Sequence, residues 1–172
     1  MIEKQAFGRL SDGREVSRYR LKNNNDLSVD LLGLGCIVQS IKVPDGHGKN
    51  VDVVLGYDTA AEYEKNDGYL GAVVGRWANR ISGAAFELNG RRWPLAANDG
   101  INHLHGGPGG FHSKFWQAEE SGDNEITFSR LSTDGEEGYP GNLQVRVTYR
   151  LDADEDEVTM SLWAKSDQDT VV

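Results

Sequence analysis

The sequence predicts an all-β fold, a sandwich or a barrel, and three observations carry that expectation. Apolar and polar residues alternate with a period of two in stretch after stretch, a helical period is almost absent, and Asp-Gly or Asn-Gly pairs stand between the stretches.

The elements follow in order. In 15–21, Tyr19 and Leu21 alternate with Arg18 and Arg20; in 27–32, Leu27, Val29 and Leu31 alternate with Ser28 and Asp30. A third strand is predicted at 37–43, where Ile41 and Val43 flank Lys42. Only 59–65 offers a short helix. The stretch 85–88 is the first arm of a hairpin, because Leu88-Asn89-Gly90-Arg91 has the form of a two-residue turn. Further strands are predicted at 124–129, at 143–151, where Leu143, Val145, Val147, Tyr149 and Leu151 share one side, and at 157–164. Asp12-Gly13, Asp45-Gly46, Asp99-Gly100 and Asp134-Gly135 supply further turns. With 21 glycines against 4 prolines in 172 residues, and no linker or internal repeat, the composition suits one domain, 1–172, rich in tight turns. Thr170-Val171-Val172 starts a new β-branched run without a turn or polar cap after it, which reads as a strand interrupted within the element.

Acidic residues outnumber basic ones by 27 to 18, for a net charge of −9, and no Lys/Arg cluster stands out. Nucleic acid and anionic membrane are therefore not expected as partners. The single cysteine, Cys36, lies in an apolar run, cannot form an internal disulfide and reads as a buried structural thiol in a reducing compartment. The charged first ten residues lack the apolar core of a signal peptide, and no run reaches the ~18 apolar residues of a membrane span. A soluble, cytoplasmic protein is expected.

Two segments look too specialised to be scaffold alone. In 69–81, Arg76, Asn79 and Arg80 interrupt an apolar stretch, and a charge in such a place must be paired or face a cavity. Arg80 beside Asn79 combines a fork of donors with an amide, which suits the vicinal hydroxyls of a sugar; Arg76 reads equally well as an ion pair tying a strand to the core. Trp77 reads as core, with stacking on a pyranose face as the alternative.

The second segment is 102–111, Asn-His-Leu-His-Gly-Gly-Pro-Gly-Gly-Phe. In an extended chain His103 and His105 would point to one side, yet a metal site lacks the nearby glutamate that a cupin-like set needs, and no Gly-Lys-Ser/Thr phosphate loop occurs. What remains is an imidazole, His105, before a glycine-rich loop where backbone can approach a ligand closely, a place for a neutral-pH donor or acid-base group. His103, His112 and His47 read as structural or solvated. No metal or other cofactor is expected.

Taken together the segments are recognisable. Gly75-Arg-Trp-Ala-Asn-Arg-Ile81 resembles the Gly-Arg-x-Ala-Asn-Arg-Ile motif of the aldose 1-epimerases, or galactose mutarotases, and Leu104-His-Gly-Gly107 with Gly110-Phe111 and Trp116 resembles their Leu-His-Gly-Gly…Gly-Phe…Trp motif. The separation of Arg80 from His105 agrees as well. Further similarity runs through Val43-Pro-Asp45, Gly48-Lys49, 52–58, Tyr63, Asn98 and 134–143. His112 stands where the family often has aspartate, and Trp77 replaces another apolar side chain.

The resemblance covers the chain but only the first half or so of the family's β-supersandwich, and it implies isomerase chemistry on aldoses such as galactose or glucose, with no metal or nucleotide. A base takes the C1 hydroxyl proton, an acid protonates the ring oxygen, and the opened aldehyde rotates and recloses as the other anomer. It also implies that Asn79, Arg80 and His105 bind sugar hydroxyls and that His105 helps orient the reacting centre, His105 thus being the candidate catalytic residue. The family's base is a glutamate near its C-terminus and its acid a histidine in an Asn-His-x-Tyr-x-Asn-Leu motif. Neither occurs in these 172 residues. Little or no mutarotase activity is therefore expected of this polypeptide alone, with a non-catalytic carbohydrate-binding protein as the alternative. Half a supersandwich would also leave open sheet edges, so self-association is expected.

Overall fold

The structure is a computed structural model that describes residues 2–120, 122 and 124–172. A five-stranded antiparallel sheet runs in chain order through β1 (Glu3–Arg9), β2 (Glu15–Lys22), β3 (Ser28–Leu32), β4 (Ile37–Pro44) and β5 (Asn50–Asp52). After it come one helix, α1 (Ala60–Lys65), the short strand β6 (Arg80–Ile81), the hairpin β7 (Ala85–Leu88) and β8 (Arg91–Pro94), and the short strand β9 (His103–Leu104). A second antiparallel sheet of four strands follows: β10 (Gln117–Glu120), β11 (Glu125–Ser132), β12 (Leu143–Leu151) and β13 (Val158–Ser166).

The two large sheets stack on each other. Tyr19 and Leu21 of β2 and Val29 and Leu31 of β3 meet Ile126 and Phe128 of β11 and the inward row Leu143, Val145, Val147, Tyr149 and Leu151 of β12 in one core. That row is the period-two pattern of the sequence realised in space, with every second residue of β12 buried. Tyr149 also donates its hydroxyl to the Cys36 carbonyl at 3.1 Å, and burial pushes the Cys36 thiol well above its ordinary pKa. The expected inert, structural thiol is what the fold contains.

β3 is buried on both faces, because its Leu32 points away from the sandwich into a second core with Leu10, Val16, Leu34 and Ile37, capped by Ala60 and Tyr63 of α1. Buried Asp30 on the same strand is held by a two-pronged contact from Arg20, both bonds at 2.6 Å. The helix starts where Thr59 and Glu62 cap each other: the Thr59 Oγ1 accepts from the Glu62 N–H and the Glu62 carboxylate accepts from the Thr59 N–H. The Asn89-Gly90 hairpin is also present, with both residues at positive φ, 52° and 72°, as its turn type requires.

One strand departs from its sequence pattern. The alternation at 157–164 predicts a half-buried strand, yet β13 is exposed along nearly its whole length, with Leu162 at 62% and Trp163 at 44% exposure. It pairs with β12 on one side only, and among the described residues no other strand pairs with its far edge. β1, β5, β6, β9 and β10 are strands that the period-two pattern does not single out, four of them because they have no more than four residues.

Candidate functional site

The second motif segment folds back on the first through a very short ladder. β6 pairs antiparallel with β9, setting Arg80 opposite Leu104 and Ile81 opposite His103. Asn98 fixes β9 from the side, its amide donating to the Leu104 carbonyl at 3.0 Å and its oxygen accepting from the Leu104 N–H at 2.7 Å. One residue beyond the ladder, Asn79 and His105 interlock. The His105 N–H donates to the Asn79 carbonyl at 3.0 Å, and the Asn79 N–H donates to His105 Nδ1 at 3.1 Å. Because Nδ1 accepts, the neutral imidazole carries its proton on Nε2. Both residues are left-handed, φ 65° and 51°, which turns their side chains out of the register an extended chain would give them.

Arg80 completes the group. Its Nε donates to Asp99 Oδ2 at 2.7 Å and one Nη to Asn79 Oδ1 at 3.4 Å, while the side chain remains 54% exposed. Asn79 thus touches both neighbours, the imidazole through its N–H and the guanidinium through its amide oxygen. Burial first, and then the Arg80 charge, hold the His105 imidazole below its ordinary pKa of 6.5, so the ring is neutral at pH 7. Its Nε2–H is a donor, the Arg80 fork offers further donors, and the Asn79 amide adds a group of either sense. Such a set matches the mixed donor and acceptor demands of adjacent sugar hydroxyls.

Asp99 was not singled out by the sequence beyond its place in an Asp-Gly turn. The signal for it was the position next to Asn98, itself a residue shared with the family. Tyr69 was missed as well; its ring lies 4.8 Å from that of His105 and 4.7 Å from that of His112.

Other expectations are corrected. His103 and His105 do not point to one side. His103 is fully buried, its Nδ1 bonding the Ala96 carbonyl at 2.7 Å and its Nε2 the Tyr139 hydroxyl at 2.8 Å, whereas the left-handed turn at His105 carries that ring to the surface group. The glycines of the loop serve the protein's own packing: a Cβ at Gly106 would overlap the Gly75 carbonyl, and one at Gly107 or Gly109 would overlap the Glu137 carboxylate. Trp77 is 37% exposed and not core. It lines, with Val73, Phe111, Val145, Leu162 and Trp163, an apolar groove of about 450 Å³ whose walls reach Ala78, the residue before Asn79; Arg80 and His105 are not among its walls. The polar trio is thus a shelf beside an apolar groove.

Arg76 makes no close ion pair with any described residue. Buried, it donates to the carbonyls of Ser132, Thr133, Pro140 and Gly141 and to the hydroxyls of Ser132 and Thr170, all between 2.7 and 3.3 Å. It is a staple between the motif segment and the loop joining β11 to β12. His47 sits in an exposed turn where its N–H donates to Asp45, consistent with a solvated role.

Comparisons with known proteins follow the same lines. The family model described as aldose 1-epimerase matches residues 17–172. Galactose mutarotase of Sus scrofa is 42% identical over 172 residues, 99% of this chain and 49% of its own length. Aldose 1-epimerase of Haemophilus influenzae is 39% identical, covering 100% of this chain and 49% of its own length. Among solved structures, galactose 1-epimerase from Lactobacillus acidophilus superposes with a TM-score of 0.84 at 27% identity, over 99% of this chain and 50% of that one. An aldose epimerase homologue from C. elegans gives 0.81 at 32% identity, over 86% and 45%. The chain therefore spans about half the length of the relatives it matches, in an all-β, galactose mutarotase-like fold. On the family model and on these identities, it belongs to the aldose 1-epimerase family.

Proposed function

We propose that the Asn79–Arg80–His105 shelf binds the hydroxyls of an aldohexose pyranose, as the sugar-holding part of an aldose 1-epimerase. The interlock of Asn79 with His105, and its contact to Arg80, supports this most directly: it joins the two motif segments into one group of donors and acceptors. His105 supplies a neutral Nε2–H to a sugar oxygen next to the reacting centre. Exchange of anomers also requires a proton acceptor at the C1 hydroxyl and a donor at the ring oxygen, each worth about 10²–10⁴ in rate. The described residues offer no such matched pair around this shelf. The 172 residues are proposed to act as one sugar-binding unit in a reducing, cytoplasmic setting, and to give little or no mutarotation alone. A non-catalytic lectin-like role is the second reading.

Polarimetry of fresh α-galactose with the purified chain, beside calorimetric titration with galactose, tests both parts. Expected are weak, saturable binding and a mutarotation rate near the spontaneous one. A rate near that of a full-length family member would overturn the proposed division of roles, and absence of any sugar binding would overturn the shelf.

The pH dependence has a definite sign. His105 faces the Arg80 cation, with neutral His112 across Tyr69, and its folded value lies below 6.5. Protonation would aim Nδ1–H at the Asn79 N–H and break the interlock. Galactose affinity is expected to hold steady as the pH falls to 6.5 and to drop only below it; a decline already above 6.5 would contradict the neutral ring. For stability the same depressed value means that the contribution is fully present above 6.5 and is lost as the pH falls further.

Self-association is proposed through a second copy of the chain, because β13 exposes Met160, Leu162 and Trp163 beside an open ladder edge. Light scattering is expected to give a mass that rises with concentration; a constant monomer mass would rule it out.

A further inference from the structure

Three non-glycine residues take left-handed backbone conformations around the shelf: Asn79, His105 and Tyr69, the last at φ 54°. Such conformations cost on the order of 1–2 kcal/mol for an ordinary side chain and persist only where surroundings over-determine them. For Asn79 and His105 the interlock supplies the reason. For Tyr69 the reason lies in the turn after α1. Its N–H donates to the Asn66 carbonyl at 2.9 Å, and the buried Asn66 side chain accepts from the Leu70 N–H at 2.9 Å. The Ala72 N–H returns to the Tyr69 carbonyl at 3.1 Å, and the Gly71 carbonyl is tied to the Val38 N–H of β4 at 2.9 Å. The turn is thus held at one end by the C-terminal cap of α1 and at the other by β4, and what it presents is the Tyr69 ring.

That ring is a wedge. It tilts at 59° against His105 at 4.8 Å and stands at 71° to His112 at 4.7 Å, so one ring packs against both imidazoles at once. His112 sits on a 3-10 turn, Phe111–Ser113, whose backbone is anchored by the buried Phe111. The torsion that rotates an imidazole about its stem is broad and roughly two-fold. A single hydrogen bond from the Asn79 N–H at 3.1 Å leaves that torsion soft, and a rigid wall on the ring's flank removes the freedom.

We propose that Tyr69 is a positioning residue of the shelf, its ring wedged between His105 and His112 so that His105 stays oriented with Nδ1 on Asn79 and the Nε2–H free for a ligand. The inference deepens the sugar-binding assignment and rests on it for its functional meaning, but not for its test, which is read without sugar.

Imidazole ¹⁵N shifts of the ligand-free chain at neutral pH report which ring nitrogen carries the proton, and so whether the Asn79 bond to Nδ1 holds one tautomer. The unaltered chain and Tyr69→Phe, which keeps the ring, are expected to show two well-separated His105 nitrogens, one acceptor-like and one protonated. Tyr69→Ala is expected to bring them towards a common averaged value while the amide spectrum keeps its dispersion, and to weaken galactose binding about fivefold or more. Separated nitrogens in Tyr69→Ala would overturn the inference. If that variant fails to fold, the unaltered chain decides: a ring packed on tyrosine shows His105 carbon-bound protons displaced by the ring current, and unshifted protons would overturn it equally. Separated nitrogens in Tyr69→Ala with normal sugar affinity would count against Tyr69 alone, whereas absent galactose binding with the expected nitrogen shifts would count against the sugar assignment alone.

Discussion

Arg76→Met is expected to lower the unfolding free energy by about 3–5 kcal/mol, the scale for leaving a few buried acceptors unpaired at about 1–3 kcal/mol each. The guanidinium is the common donor for four main-chain carbonyls, those of Ser132, Thr133, Pro140 and Gly141. An apolar side chain of similar length fills the volume but leaves those acceptors without partners, at about 1–3 kcal/mol for each that water cannot reach. The loop from β11 to β12 also carries Tyr139, whose hydroxyl bonds buried His103, so its release would loosen the segment beneath the shelf. Set against the ~5–15 kcal/mol of a whole domain, the loss is a large fraction. Arg76→Lys keeps the charge with three donors in place of a planar fork and is expected to fall between. Urea unfolding followed by tryptophan fluorescence measures it; a midpoint unchanged in Arg76→Met would show that the carbonyl cage contributes nothing.

Arg80→Ala is expected to do the reverse. Galactose affinity should fall at least tenfold, since the fork is the strongest donor of the shelf and charge-assisted bonds are roughly twice as strong as neutral ones. Stability should hardly move, because the side chain is 54% exposed and an exposed pair with Asp99 is worth only about 0–1 kcal/mol. Arg80→Lys should not restore binding, as a single ammonium cannot hold Asp99 and reach two hydroxyls together. Calorimetric titration beside thermal unfolding separates the outcomes: unchanged affinity with reduced stability would make Arg80 a surface strut.

The contrast between these arginines marks where the sequence stopped being informative. Both interrupt the same apolar stretch, and local pattern treats them alike. What separates them is the distant loop 132–141, which closes over one and not the other. By contrast β12 was legible residue by residue, because a strand with one face in the core writes its burial as alternation, and the helix and the Asn89-Gly90 hairpin were legible from local turn and cap chemistry. The β6–β9 ladder that assembles the shelf has two residues in each strand, too few for any period. Motif resemblance brought Asn79, Arg80 and His105 forward; it did not reveal that left-handed backbone at Asn79 and His105 sets their geometry. The glycine-rich loop also serves packing that the sequence does not show. Room beside a glycine serves any close neighbour, and here the neighbours are Gly75 and Glu137 of the same chain. Trp77 was placed in the core by its size, whereas it borders a groove that no described residue fills.

The claim on which the rest depends is that one sugar engages Arg80 and His105 at the same time. Galactose titrated into the ¹⁵N-labelled chain, with the Arg80 Nε–H and the His105 ring nitrogens observed together, tests it most directly. Expected are shifts of both groups along one saturation curve, with a single dissociation constant. Movement of only one of them, or two curves with different midpoints, would contradict a shared sugar site.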